Sequence, residues 1–147
     1  YGGSAVDTMT LGGAHTGRLY GQAGADLFFV TASGSLTGFI DGGADYDTLD
    51  YTAYDSARAF DLTGTSPIDG FSGTESSLSI DFRNMDYLLG RNGAGLDSLQ
   101  GLNSPSTWTL LPPADKSLYQ AEGRTLHFSF MDSLIGEPSC PKCRAAG

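Results

Sequence analysis

Gly42-Gly43-Ala44-Asp45-Tyr46-Asp47-Thr48-Leu49-Asp50 sets the plan of this chain, because the same nine-residue pattern recurs three more times. Gly21-Gln22-Ala23-Gly24-Ala25-Asp26-Leu27-Phe28-Phe29 precedes it, and Gly2-Gly3-Ser4-Ala5-Val6-Asp7-Thr8-Met9-Thr10 opens the chain. Asn92-Gly93-Ala94-Gly95-Leu96-Asp97-Ser98-Leu99-Gln100 is the fourth copy. Each runs through small residues to Asp at the sixth place and an apolar residue at the eighth. Glycine turns tightly and aims carbonyl oxygens inward, and alternate residues of the strand that follows share one face. Met9, Phe28, Leu49 and Leu99 are therefore expected in the core. Asp7, Asp26 and Asp47 lie 19 and 21 positions apart, about one coil of a stacked β structure, which predicts a ladder of carboxylates with rungs about 4.8 Å apart. Like charges at that spacing repel, so a cation is a sensible guest.

The pattern resembles the GGxGxDxUx nonapeptide of RTX proteins, in which a turn binds calcium and a short parallel strand follows. The resemblance implies an all-β, parallel β-solenoid of the β-helix or β-roll type. It also implies calcium ligands among Asp7, Asp26, Asp45, Asp47 and Asp97 and the turn glycines Gly24, Gly43 and Gly95. RTX repeats usually run in tandem, whereas other residues separate these copies, and Ala5 and Asp45 stand where the second turn glycine would be. The competing expectation is that each Asp accepts backbone N–H bonds and pins its own turn.

The chain has 147 residues, a length suited to one domain. Its 21 glycines are about twice the average share, and 17% charged residues is well below the usual quarter. A net charge of −9 excludes nucleic acid and anionic membranes as natural partners, because phosphate binding needs clustered Lys and Arg. No apolar run is long enough to span a membrane. Tyr1 lies directly against a nonapeptide, which suggests a processed end or an origin within a longer protein. A secreted or cell-surface location follows from the resemblance alone.

Outside the nonapeptides, strands are expected at Val6 to Leu11, Arg18 to Tyr20, Leu27 to Thr31, Leu36 to Ile40, Tyr51 to Tyr54, Ala57 to Thr63, Trp108 to Leu111 and Leu126 to Phe128, with glycine turns between. Residues 64–77, with Gly64, Pro67, Gly70 and Gly73, read as a long outward loop. A second repeat, F-x-x-M-D-x-L-[LI]-G, relates Phe82–Gly90 to Phe128–Gly136. With the Trp108 strand between its copies, it resembles the glycine-rich repeats of large bacterial exoproteins and adhesins. The predicted organisation is a repeat domain at 1–136 and a Cys-containing tail at 137–147. Cys140 and Cys143 have C-x-x-C spacing without a second pair for zinc, so they read as a local disulfide or a crosslink between subunits.

Catalytic groups are sparse. His15 and His127 are 112 residues apart, no GxSxG elbow is present, and nothing selects a glycosidase-like pair from Asp81, Asp86 and Asp132. Tyr51, Tyr54, Tyr87, Tyr119 and Trp108 could stack on cell-surface glycans. The sequence thus predicts a non-enzymatic extracellular repeat protein of adhesin, surface-layer or filament type, with head-to-tail self-assembly. The alternative is a calcium-binding module of a secreted carbohydrate-active enzyme, of the polysaccharide lyase or epimerase type.

Overall fold

The computed structural model describes residues 1–75, 80–93, 95–112 and 115–136. Every regular element among them is a β-strand: β1 Thr8–Leu11, β2 Ala14–Ala23, β3 Leu27–Val30, β4 Ser35–Ala44, β5 Thr48–Asp50, β6 Ala59–Thr65 and β7 Phe71–Glu75, then β8 Ile80–Met85, β9 Tyr87–Leu89, β10 Ser98–Gln100, β11 Ser106–Thr109, β12 Ser117–Ala121, β13 Arg124–Ser129 and β14 Ser133–Ile135. They form two seven-stranded sheets. Sheet A has the order β1-β3-β5-β9-β13-β12-β11, and sheet B the order β14-β10-β6-β7-β8-β4-β2.

The chain alternates between the sheets over its first three repeats, and like strands stack in parallel. Met9 pairs with Phe28, Phe28 with Leu49, Leu49 with Leu88 and Leu88 with Phe128. The eighth place of the nonapeptide thus becomes one column of apolar side chains facing the core. Phe28, Leu49 and Leu88 are fully buried, Phe128 nearly so, and Met9 packs partly exposed at the end. Sheet B answers with Ile40, Phe60, Phe82 and Leu99, all within 2% of full burial. Burying each such side chain is worth about 1.5–3 kcal/mol, so this shared column dominates the cohesion of the two sheets.

The structure departs from the expected uninterrupted parallel coil at two places. β6, β7 and β8 pair antiparallel within sheet B, as do β13, β12 and β11 within sheet A. Residues 64–77, expected as an outward loop, contain β7. Phe71 and Glu75 there are fully buried, and Gly73 makes room for the Phe82 ring beside it. The alternation Phe71, Gly73, Glu75 inward against Ser72 and Thr74 outward is a strand pattern, disguised in the sequence by its glycines. The β12–β13 hairpin turns at Glu122-Gly123, with φ of 51° and 77°, the paired positive values of a type I′ turn. Tyr51 to Tyr54 is a turn and not a strand: Tyr54 N–H donates to the Tyr51 carbonyl at 2.8 Å. The tail with Cys140 and Cys143 lies outside the described residues.

Candidate functional site

The turn columns hold the aspartates that the nonapeptides single out. Asp7 N–H donates to Asp26 Oδ1 at 2.7 Å, Asp26 N–H to Asp47 Oδ1 at 2.8 Å, and Asp47 N–H to Asp86 Oδ2 at 3.1 Å. Each carboxylate therefore fastens the coil before its own, which neither the calcium expectation nor the own-turn expectation describes. Own-turn bonds occur as well: Asp7 Oδ2 accepts the Gly3 N–H at 2.9 Å. Asp86 was not among the expected ligands. Its signal is the Asp-x-Leu of the second repeat, the same Asp-x-apolar that ends the nonapeptide, here without the glycines.

Gly21 and Gly42 pack against the carboxylates of their own repeats. A Cβ on Gly21 would overlap Asp26 Oδ2 and the Gly42 carbonyl oxygen; on Gly42 it would overlap Asp47 Oδ2 and the Asn84 carbonyl oxygen. The first glycine of the pattern is there because the carboxylate takes its side-chain space. The fourth place needs a left-handed backbone, with φ of 105° at Gly24 and 80° at Asp45. Aspartate tolerates that region better than most residues, which accounts for Asp45 in a glycine position. Its carboxylate accepts the Gly24 N–H at 3.1 Å, and its own N–H donates to Asp69 Oδ2 at 3.0 Å. Gly43, at the second place, has φ of 109°.

The fourth nonapeptide does not continue this column. β10 lies in sheet B between β6 and β14, and Asp97 belongs to a second ladder. There Arg58 N–H donates to Asp97 Oδ1 at 2.6 Å and Asp97 N–H to Asp132 Oδ2 at 3.0 Å. Asp97 Oδ2 also accepts the Arg91 N–H, and Gly95 lies against the Arg91 guanidinium. Gly90, not a residue of the fourth nonapeptide, is the glycine packed on Asp97. The structure thus brings Asp7, Asp26 and Asp47 into one column, places Asp45 on its exposed flank, and separates Asp97 from them.

Electrostatics single out the first ladder. Asp26 Oδ2 and Asp47 Oδ2 are buried and have no hydrogen-bond partner among the described residues. Burial pushes the Asp47 pKa up to about 7; the Asp26 N–H bond opposes this, and the charges of Asp26, Asp86 and Asp69 add to it. Asp86 rises to about 6, again mainly by burial. Asp69 is raised for the same leading reason. Among the described residues no three His, Cys, Asp or Glu side chains converge as a metal-binding group. A cation here would draw on the orphaned Oδ2 atoms and on turn carbonyls, an all-oxygen donor set of the kind hard cations prefer.

The residues weighed for catalysis are dispersed. His15 is exposed on β2 and Asp81 is exposed on β8, while Asp86 and Asp132 hold frame bonds in different ladders. His127 lies on the outer face of sheet A beside Tyr46 and Tyr87, with ring centroids 5.3 and 6.5 Å away. Burial and then the Lys116 charge lower its pKa. On sheet B, Phe39 packs between Arg18 and Arg83, whose guanidinium carbons lie 5.2 and 4.4 Å from the ring centroid. No helix among the described residues is long and apolar enough to cross a membrane.

No family model and no curated protein matches the chain. Among solved structures it is similar to the solution structure of the AlgE6R3 subunit from the Azotobacter vinelandii mannuronan C5-epimerase, at a TM-score of 0.40 and 17% identity. That alignment covers 86% of this chain and 72% of the other. The likeness is too loose to establish a shared activity.

Proposed function

We propose that this chain is a non-catalytic β-solenoid module, stabilised by calcium, that forms part of a secreted protein working at carbohydrate. The observation that carries the reading is the first ladder: four stacked aspartates, two of them with a buried carboxylate oxygen that no hydrogen bond among the described residues satisfies. An anionic oxygen buried without a partner destabilises a fold, and a divalent cation turns that cost into a binding site. Asp26 and Asp47 would hold the ion with carbonyls of the adjoining turns, Gly24 and Gly43 included. When bound, calcium neutralises the ladder and ties neighbouring coils together. The carboxylates already serve as backbone acceptors, which supports a role in the frame and not in turnover. Outward aromatic side chains such as Tyr20, Phe39 and Tyr87 are of the kind that stack on sugar rings, and they motivate the carbohydrate host.

Thermal melts of the purified chain at neutral pH, in calcium and in chelator, test the metal reading; an unchanged melting temperature overturns it. Incubation with acidic and neutral polysaccharides tests the non-catalytic reading. Reproducible turnover lost on substitution of His127 or of one carboxylate would contradict it.

Self-assembly is a second reading with its own observation. A groove of about 530 Å³ at the end that carries β11 and β14 is lined by Leu110, Leu111, Phe128, Phe130, Met131 and Leu134. Leu110, Leu111 and Phe130 are among the most exposed large apolar side chains. Contact of that groove with the β1 and β2 end of a second copy would be heterologous and would propagate into a filament unless closed. Light scattering that shows a monodisperse monomer at high concentration rules it out.

A further inference from the structure

The outer face of sheet A carries a group of side chains that the ladder does not use. Thr48, Tyr87 and His127 occupy one register line across β5, β9 and β13, and all point away from the core because Leu49, Leu88 and Phe128 beside them point in. Tyr46, on the turn before β5, leans over the same spot. The rings of Tyr46 and Tyr87 lie 6.4 Å apart at 47°, Tyr46 and His127 5.3 Å apart at 61°, and Tyr87 and His127 6.5 Å apart at 78°. Three mutually inclined rings make a corner and not a stack. Tyr46 and Tyr87 turn a face toward one point, and the His127 ring stands edge-on beside them.

That point already holds a cation. Lys116 Nζ lies 4.3 Å from the Tyr87 centroid and 4.8 Å from the Tyr46 centroid, and it donates to Tyr46 Oη at 3.3 Å. Both rings therefore meet the same ammonium group within the reach of a cation–π contact. Lys116 is itself exposed, so the mouth of the corner opens to solvent. It enters from the connection between β11 and β12, one residue before β12 begins, at the edge of the sheet that supplies the rings. Tyr87 Oη is engaged with Ser129 Oγ at 3.0 Å, which fixes that ring independently of Lys116. The walls thus stand on two strands, β9 and β13, and a ladder turn, and the occupant comes from the connection ahead of β12.

We propose that Tyr46, Tyr87 and His127 form an aromatic cage for an organic cation of the quaternary-ammonium class, with Lys116 as its built-in occupant. The walls offer ring faces and few polar atoms: Tyr46 Oη accepts from Lys116, and His127 Nδ1 is buried without a hydrogen-bond partner among the described residues. A primary ammonium brings three donors and is strongly hydrated, whereas a quaternary ammonium has no N–H to satisfy and is the better match for ring faces alone. The net charge of −9 favours a cationic ligand over an anionic one. Lys116 closes the cage in the free protein and leaves it when a better-matched cation arrives.

Choline chloride is the probe, titrated into the full chain against potassium chloride at equal ionic strength. Amide and ring chemical shifts of Tyr46, Tyr87, His127 and Lys116 are the readout. Choline is expected to shift these four residues saturably, with Lys116 moving furthest, while potassium leaves them unchanged. Lys116→Ala empties the cage and should bind choline about two- to fivefold tighter, the scale of one exposed cation–π contact. Tyr87→Leu should abolish binding with the fold retained, as checked by the dispersion of the remaining amide signals. Should Tyr87→Leu not fold, Tyr46→Leu, on a turn and not a strand, makes the same test. Absence of saturable choline shifts in Lys116→Ala overturns the proposal. Equal shifts with choline and potassium overturn it too.

Discussion

The two ladders are built alike and charged differently. The first runs Asp7, Asp26, Asp47, Asp86 along the turns into sheet A; the second runs Arg58, Asp97, Asp132 along the turns into sheet B. In the second, one rung is basic. The Arg58 guanidinium is buried 3.8 Å from Glu75 and 4.0 Å from the Tyr54 ring centroid. In the first, every rung is a carboxylate, and two oxygens stay buried without a hydrogen-bond partner among the described residues. The backbone bonds that stack the coils are indifferent to this choice, because an N–H donates to the next carboxylate in both. Stacking and charge balance are therefore separate problems. The second ladder has a buried guanidinium of its own, and the first has none among the described residues, which is why the proposed cation is assigned to the first.

Breaking the internal cation should produce the largest effect. Arg58→Leu takes the buried guanidinium away from Glu75, and loss of one partner of a buried pair costs about 3–5 kcal/mol. Guanidinium unfolding should show this shift without any change in calcium response. Equal losses from Arg58→Leu and Arg83→Leu, an exposed pair with Asp41, would show that burial does not set the difference.

The glycines come next. Gly21→Ala and Gly42→Ala place a methyl group on the ladder carboxylate, and overpacking of this kind costs about 1–3 kcal/mol. Gly12→Ala has open space around it and should be neutral within about 0.5 kcal/mol. Similar unfolding midpoints for Gly12→Ala and Gly42→Ala would break the assignment of the first glycine to carboxylate clearance.

The regular part of this scheme was legible from residues alone, and the reasons differ by position. Asp7, Asp26 and Asp47 announced their column because a spacing of 19 and 21 residues is a period, and Phe28 and Leu49 followed from the two-residue strand repeat. Asp97 looked identical yet joined the other sheet. A nonapeptide encodes a turn and a strand but not which sheet receives it; that depends on the number of half-coils before it, and β7 and β8 change the count. The β6–β7–β8 and β11–β12–β13 hairpins were hidden for a related reason. Their cues, Gly70, Gly73 and Glu122-Gly123, are the same residues that elsewhere mark a parallel turn. Arg58 gave no sign in the sequence, because its partners Glu75 and Asp97 are distant along the chain.

Acidity should separate the ladders more gently. Asp47 and Asp86 have pKa values raised to about 7 and about 6, from an ordinary 3.8. The folded state therefore binds protons more readily than the unfolded chain between about pH 4 and 7. Stability without calcium should be greatest at the acid end of that window and fall as pH rises through it. Asp47→Asn removes the more strongly raised of the two groups and should flatten most of the profile, leaving the part that Asp86 contributes. A profile that instead rises with pH in chelator contradicts the raised values.

The smallest effect concerns backbone strain. Phe130 has φ of 60°, and Asn84, at the same place in the earlier F-x-x-M-D copy, has φ of 52°. Asparagine suits that region and phenylalanine does not. Phe130→Asn should raise stability by about 1 kcal/mol, with Asn84→Phe lowering it. A loss on Phe130→Asn would mean that the apolar ring contributes more at the groove than its backbone costs.

The most direct test compares the calcium-dependent shift in melting temperature at pH 7.5 for the unsubstituted chain, Asp26→Asn/Asp47→Asn and Asp97→Asn. Asparagine keeps the acceptor for the N–H of the preceding rung and removes only the charge. The expected result is a rise with calcium in the unsubstituted chain, the same rise in Asp97→Asn, and little or none in the double variant, which should also be the most stable of the three in chelator. A melting temperature that ignores calcium in the unsubstituted chain, or a calcium shift that survives in Asp26→Asn/Asp47→Asn, contradicts the assignment of the cation to the first ladder.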